Sequence, residues 1–207
     1  MILETWNLIS GCLKRDEPLS SIKEKPHAIL AAWVIIGTLP TVLIGFFFKD
    51  PLEALFGKVH WVGGMLVLTG FIIGIARILS PEYNKRKNVG LLTALAVGTA
   101  QGLAIIPGIS RSGSTIICGM LCGMERELSA RFSFILSIPA ITGAMVLQLV
   151  SHETETFDLL PLLTGFSFAA LTGFLALKFL MKMVRKGNLA LFAPYCWAIG
   201  LYVIFFL

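Results

Sequence analysis

The sequence predicts an all-α, polytopic membrane protein with about five transmembrane helices and one re-entrant helical hairpin. Hydrophobic residues make up 56% of the 207-residue chain and charged residues only 14%, a balance typical of proteins whose solvent is lipid. Several apolar runs approach the roughly 20 residues that a helix needs to cross a bilayer. Two neighbouring runs are shorter and flank a Pro-Gly turn, which predicts the hairpin. This pattern excludes a cytosolic or secreted soluble protein.

Seven apolar runs define the elements, near residues 28–48, 60–79, 89–106, 112–124, 131–150, 160–181 and 190–207. As a helix, the run at 112–124 would extend only about 20 Å, too little for a hydrocarbon core of about 30 Å. We therefore expect a re-entrant hairpin at 89–124, within a transmembrane domain of residues 28–207. Residues 1–27 are rich in charges and lack the apolar centre of a signal peptide, so we expect a cytoplasmic N-terminal tail there.

Basic residues lie between the apolar runs rather than on one face with interleaved aromatic residues. The net charge of +5 therefore indicates orientation in the membrane, and nucleic acid is not an expected partner. With the tail inside, a hairpin that dips from the cytoplasmic side places the basic segments near 77–87, 126–131 and 178–186 inside. The segment at 49–59 is then an external loop, the acidic segment at 153–158 is external, and the C-terminus is external. Arg111 alone is left within the membrane.

The hairpin tip carries residues that break the apolar pattern at membrane depth. Residues 107–113, here named the tip turn, read Pro-Gly-Ile-Ser-Arg-Ser-Gly. Pro107 is expected to end the first helix, whereas Gly108 and Gly113 allow tight backbone geometry. Irregular backbone inside a membrane requires protein or a water-filled cavity to satisfy its polar groups. The tip turn therefore predicts a polar cavity.

Arg111 is the residue of the tip turn on which function depends most. An arginine at membrane depth is permanently charged and needs a partner, so it is a functional hypothesis by default. Helix N-terminal N–H groups and the hydroxyls of residues 110–115 are expected to converge with it into a phosphate cradle, in which the guanidinium takes two oxygens at once. The alternative is a structural pair with a carboxylate or a helix carbonyl. No Asp or Glu lies in the predicted spans, which favours a ligand.

The sequence resembles the second signature region of the undecaprenyl-diphosphatase family, which is linked to bacitracin resistance. The resemblance rests on Gln-Gly-Leu-Ala-Ile-Ile-Pro-Gly-Ile-Ser-Arg-Ser-Gly-Ser-Thr at 101–115, Gly-Met-Leu-Cys-Gly-Met at 119–124 and Phe-Ser-Phe-Ile-Leu-Ser-Ile-Pro at 132–139. It implies hydrolysis of undecaprenyl diphosphate to undecaprenyl phosphate, on the outer side of the bacterial plasma membrane. This reaction recycles the carrier lipid of cell-wall synthesis.

The resemblance also implies a set of site residues. The candidate catalytic residues are Ser110, Arg111 and Ser112. The candidate diphosphate-binding residues are Gln101, Gly108, Ser110, Arg111, Ser112, Gly113, Ser114 and Thr115. A divalent metal, magnesium or calcium, is expected from the family, although no ligand for it is identified in the sequence. The expected partners are the lipid substrate and the bilayer, and the oligomeric state is left open.

Members of that family begin with a first signature, Glu-x-x-x-Glu followed by Pro-Val-Ser-Ser-Thr-Gly-His, to which the family's other catalytic candidates belong. Residues 1–27 do not match it. Phosphoanhydride hydrolysis needs an activated oxygen and proton transfer, so we expect these 207 residues to bind a diphosphate better than they hydrolyse it. Two alternatives stand beside the phosphatase: a lipid-phosphate translocase or carrier, and an inactive truncated remnant.

Overall fold

The computed structural model describes residues 26–78, 86, 88–151 and 159–207. The described residues form eight α-helices: α1 (Pro26–Phe47), α2 (Lys49–Phe56), α3 (Val59–Gly74), α4 (Leu91–Leu103), α5 (Arg111–Leu121), α6 (Arg126–Ser151), α7 (Leu159–Arg185) and α8 (Ala193–Phe206). Short 3-10 turns at Ile75–Arg77 and Leu189–Phe192 extend α3 and lead into α8. The all-α prediction is confirmed for this part of the chain.

Five of the helical segments are long and apolar enough to cross a membrane: Ile29–Phe47, Val59–Arg77, Arg126–Leu147, Leu160–Arg185 and Leu189–Phe206. The two helices of the hairpin region, α4 and α5, have 13 and 11 residues. At a rise of 1.5 Å per residue, neither covers a core of about 30 Å. The chain is a multi-pass membrane protein, and the predicted number of crossings is confirmed.

The two short helices form the predicted re-entrant hairpin. Arg86, which precedes α4, donates its N–H to the carbonyl of Gly123, which follows α5, at 3.1 Å, and the N–H of Glu125 donates to the carbonyl of Arg86 at 3.0 Å. Both ends of the hairpin therefore meet. Had α4 and α5 together crossed the membrane once, these ends would lie on opposite sides.

The end of the hairpin at which Arg86 and Gly123 meet is here named the hairpin base. Other basic segments lie beside it. Glu127 Oε1 accepts hydrogen bonds from Arg131 Nη2 at 2.6 Å and from Arg185 Nη2 at 2.8 Å, and the Arg126 guanidinium packs against Gly187. Segments that the charge pattern assigns to one side of the membrane are thus neighbours in space. That this side is cytoplasmic stays a prediction.

The hairpin is packed between two groups of helices. Helix α4 contributes Ala94 and Val97 to one hydrophobic cluster, together with Val34 of α1 and Phe132 of α6. Helix α5 contributes Ile116, Ile117 and Met120 to a second cluster formed with Ile73, Ala76, Met181, Val184 and Cys196. Glycines allow close helix approach on both sides: a Cβ on Gly98 would overlap the carbonyl of Gly37, and one on Gly200 would lie 2.8 Å from that of Gly63.

Some element boundaries differ from the predicted ones. The segment at 49–59 was expected to be a loop, but it contains the short helix α2, in which Leu52 is buried. Pro51 lies in the first turn of α2, where a missing N–H breaks no helical bond. Helix α1 begins at Pro26, two residues before the predicted span. Residues 1–25 of the predicted tail at 1–27 lie outside the described residues, as does the predicted external acidic segment at 153–158.

Candidate functional site

The tip turn packs against the middle of α3. Thr69 Oγ1 donates to the carbonyl of Gly108 at 2.9 Å and accepts from the N–H of Ser110 at 3.1 Å. Thr69 lies near the middle of the candidate span Val59–Arg77. Because its two partners are backbone groups of the tip turn, the turn also lies near mid-membrane depth. This placement agrees with the intramembrane position expected for Arg111.

Glycine is required at the second residue of the tip turn. Gly108 has φ +93, a conformation that other residues rarely adopt. A Cβ at this position would also overlap the carbonyl oxygen of Val62 and lie 2.9 Å from the Cβ of Met65. The first helix ends at Leu103, so Pro107 follows the helix end rather than causing it.

Ser110 begins α5 and sets the hydrogen bonding of its first turn. As the N-cap residue, it accepts a bond on Oγ from the N–H of Gly113 at 3.1 Å, while its carbonyl accepts from the N–H of Ser114 at 2.9 Å. The first N–H groups of a helix have no partner within the helix. In the described part of the chain, the N–H groups of Arg111 and Ser112 have no acceptor. These two amides are available to an anion.

Arg111 is the first residue of α5 and is partly buried. It makes no hydrogen bond or ion pair with any residue that the structure describes. The acidic residues whose side chains the structure describes, Glu125 and Glu127, lie at the hairpin base. A guanidinium at mid-membrane depth that has no counter-charge among the described side chains favours the ligand-binding hypothesis over a structural ion pair.

The side chains of Gln101 and Thr115, which the resemblance assigns to the diphosphate site, are buried and bond protein groups. Gln101 is completely buried, and its Nε2 donates to Thr41 Oγ1 and to the carbonyl of Leu136, both at 3.3 Å. Thr115 is also buried, and its Oγ1 donates to the carbonyl of Arg111 at 2.8 Å. A threonine within a helix readily bonds to its own backbone in this way. The Thr115 hydroxyl therefore bonds a protein group, whereas Gln101 bonds protein groups through Nε2 and leaves its Oε1 buried without a hydrogen-bond partner.

The three serines of the predicted site differ in burial and in hydrogen bonding. Ser110 and Ser112 are partly buried. Ser112 Oγ makes no hydrogen bond with the described residues, whereas the Ser112 carbonyl accepts one from Thr115 Oγ1. Ser114 Oγ is buried without a partner. The groups best placed for an anion are therefore the Arg111 guanidinium, the amides of Arg111 and Ser112, and the hydroxyls of Ser110 and Ser112.

The described residues do not fit a divalent metal. Among them, no three His, Cys, Asp or Glu side chains lie close enough to hold an ion. The tip turn offers N–H groups, hydroxyls and a cation, whereas magnesium and calcium take oxygen ligands among which carboxylates predominate. The metal expected from the resemblance has no ligand in this part of the chain.

Sequence reasoning missed the contribution of α3. The apolar pattern of the run at 60–79 predicts only a membrane span, yet Val62, Thr69 and Ile73 all contact the hairpin. A Cβ on Gly113 would lie 3.0 Å from Ile73 Cγ1. A single threonine in an apolar run is too common a feature to have revealed this contact.

Fold and site together define a multi-pass membrane protein that holds an arginine-bearing re-entrant turn at mid-membrane depth. The family model described as bacitracin resistance protein BacA matches residues 2–202. The chain belongs to this family, which confirms the resemblance found in the sequence.

Three relatives illustrate the similarity, and each is named undecaprenyl-diphosphatase. The protein from Desulforapulum autotrophicum is 47% identical over 97% of this chain and 73% of its own length. That from Halothermothrix orenii is 45% identical over 87% of this chain and 71% of its own length. That from Methanothermobacter thermautotrophicus is 44% identical over 83% of this chain and 97% of its own length.

Proposed function

We propose that this protein dephosphorylates undecaprenyl diphosphate to undecaprenyl phosphate, and so recycles the carrier lipid of peptidoglycan synthesis. The names of its relatives support this reaction. The structural observation that carries the proposal is Arg111, a cation at mid-membrane depth beside two unbonded helix amides. Such a site suits the charged headgroup of a lipid whose tail stays in the bilayer. The same names favour a phosphatase over a lipid-phosphate carrier and over an inactive remnant.

The geometry suggests what each group does. The planar Arg111 guanidinium binds two phosphate oxygens, while the N–H groups of Arg111 and Ser112 bind a third. The hydroxyls of Ser110 and Ser112 complete the contacts. When water attacks the terminal phosphorus and the P–O bond to the bridging oxygen breaks, negative charge grows on the undecaprenyl phosphate that leaves, and donors fixed beforehand stabilise that charge.

A divalent cation, magnesium or calcium, is part of the proposal on the strength of the family resemblance. Such an ion would supply a polarised phosphoryl oxygen or an activated water. The tip turn does not fit it, so no step derived from the described residues depends on it.

We also place the protein in the bacterial plasma membrane with its site open to the outer face. The hairpin base is rich in arginine, which by the positive-inside tendency assigns it to the cytoplasm. Because the tip turn lies deeper in the membrane than this base, we propose that the substrate headgroup reaches it from the outer face.

The test measures both binding and phosphate release by the full 207-residue chain in detergent or vesicles, with undecaprenyl diphosphate as the substrate. We expect tight binding with slow release, because no described residue at the tip turn is a carboxylate that could activate water. Binding without release, together with movement of the lipid across vesicles, would support the carrier instead. Failure to bind the diphosphate at all would overturn the proposal.

A further inference from the structure

We infer that Thr69 is a positioning residue for the proposed diphosphate site, a role that rests on the proposed function. Its single hydroxyl bonds both sides of Ile109, to the carbonyl of Gly108 at 2.9 Å and the N–H of Ser110 at 3.1 Å. One side chain from α3 thus closes a three-residue segment of the tip turn. Thr69 is 1% exposed, so it does not touch the ligand itself.

The bonding of Thr69 differs from that of most threonines on the long helices. The hydroxyls of Thr38, Thr142 and Thr164 each donate to the carbonyl four residues earlier in their own helix. Such bonds are local and tie no other element. Thr69 instead reaches a segment 39 residues away in sequence, which indicates that its hydroxyl serves the tip turn rather than α3.

The backbone groups that Thr69 bonds determine where the residues of the proposed diphosphate site lie. Ser110 is the N-cap of α5, and Arg111 is its first residue, so holding Ser110 fixes where the guanidinium starts. Because the N–H of Ser110 is committed to Thr69, the amides of Arg111 and Ser112 are the ones left for an anion. Without Thr69, the Ser110 N–H and the Gly108 carbonyl would lose their partner at membrane depth, where no lipid group replaces it.

The rest of this α3 face supports the same role. Val62, Met65 and Leu66 enclose Gly108, and Ile73 contacts Gly113. With Thr69 these residues recur at the spacing of one helix face. Helix α3 therefore lies along the tip turn and supports it, and both of the side-chain hydrogen bonds from α3 to the turn among the described residues come from Thr69.

The experiment measures binding of farnesyl diphosphate, a soluble prenyl diphosphate, to the full chain by calorimetry. Thr69→Val keeps the shape and removes the hydroxyl, and we expect about tenfold weaker binding. Thr69→Ser keeps the hydroxyl and should restore most of the affinity. Thr41→Val is the matched control, since Thr41 is also buried and bonds another helix, at Gly98, but not the tip turn. It should lose thermal stability to a similar extent and bind normally.

A double-mutant cycle separates positioning from general stability. If Thr69 acts through Arg111, adding Thr69→Val to Arg111→Lys weakens binding by less than the product of the two single effects. Fully multiplicative effects, or wild-type affinity in Thr69→Val, would overturn the inference while leaving the proposed function intact. If the wild-type chain itself does not bind farnesyl diphosphate or undecaprenyl diphosphate, it is the proposed function that fails.

Discussion

The two ends of the re-entrant hairpin treat arginine in opposite ways. At the hairpin base, Arg131 and Arg185 share the Glu127 carboxylate. At the tip, Arg111 has no carboxylate among the described residues and lies beside two helix amides that add positive potential. The base is also more exposed, with the Arg185 side chain 53% accessible. At the exposed base, a carboxylate therefore balances the arginine charge. At the tip, no described carboxylate balances the charge of Arg111.

This difference shows how an arginine that sets membrane orientation can be distinguished from an arginine that binds a ligand. A paired and solvated arginine contributes little free energy, roughly 0–1 kcal/mol for an exposed pair. A partly buried arginine without a counter-charge raises the free energy of the folded protein until an anion binds. Tip and base should therefore respond differently to mutation, in stability and in ligand affinity.

The largest effect is expected from Gly108→Ala, which alters the backbone of the tip turn. The positive φ and the contact with the Val62 carbonyl together should reduce the free energy of unfolding by about 2–5 kcal/mol, and diphosphate affinity should fall with it. Thermal unfolding in detergent measures the loss. Gly64→Ala on α3 is the control, because a Cβ there meets no atom within 4 Å. Equal stability of the two variants would show that the turn is not held as described.

A smaller effect is expected from Arg111→Lys, which keeps the charge and removes the planar two-pronged donor. Affinity for a soluble prenyl diphosphate should weaken by about 2–3 kcal/mol, as measured by calorimetric titration. Arg131→Lys at the hairpin base is the matched control and should bind as the wild type does. Unchanged affinity in Arg111→Lys would return Arg111 to a structural role and remove the contrast between tip and base.

The smallest effect is expected from Glu127→Gln at the hairpin base. Removing the carboxylate shared by Arg131 and Arg185 should lower stability by at most about 1 kcal/mol per pair, with diphosphate affinity unchanged. Thermal unfolding at low and high salt checks this, since screening should reduce the difference between mutant and wild type. A loss of diphosphate affinity would mean that base and tip are coupled through α5.

Much of this protein could be predicted from local sequence features. The long apolar runs gave five crossings because a bilayer imposes a minimum helix length. The shortness of the run at 112–124 and the alternation of basic loops gave the hairpin. Arg111 stood out because a charge is costly in lipid whatever surrounds it.

Other features depended on contacts that no local pattern encodes. Gln101 and Thr115 belong to the same polar string as Ser110, yet both bond to protein in the core. The resemblance implies that both bind the diphosphate, whereas helix packing buries their side chains and bonds them to protein groups. The short helix α2 was read as a loop because one buried leucine is too weak a signal.

The sequence by itself determined the membrane class, the hairpin and the intramembrane arginine. Unbonded backbone groups and charges are costly in lipid whichever residues surround them. Only the tertiary structure decided which polar groups are left for a ligand. Which groups are left depends on which donors and acceptors are already hydrogen-bonded. Thr69 accepts from the N–H of Ser110, and Ser110 Oγ accepts from the N–H of Gly113. The N–H groups of Arg111 and Ser112 have no acceptor among the described residues. Bonds between residues 41 positions apart follow from how α3 and the hairpin pack.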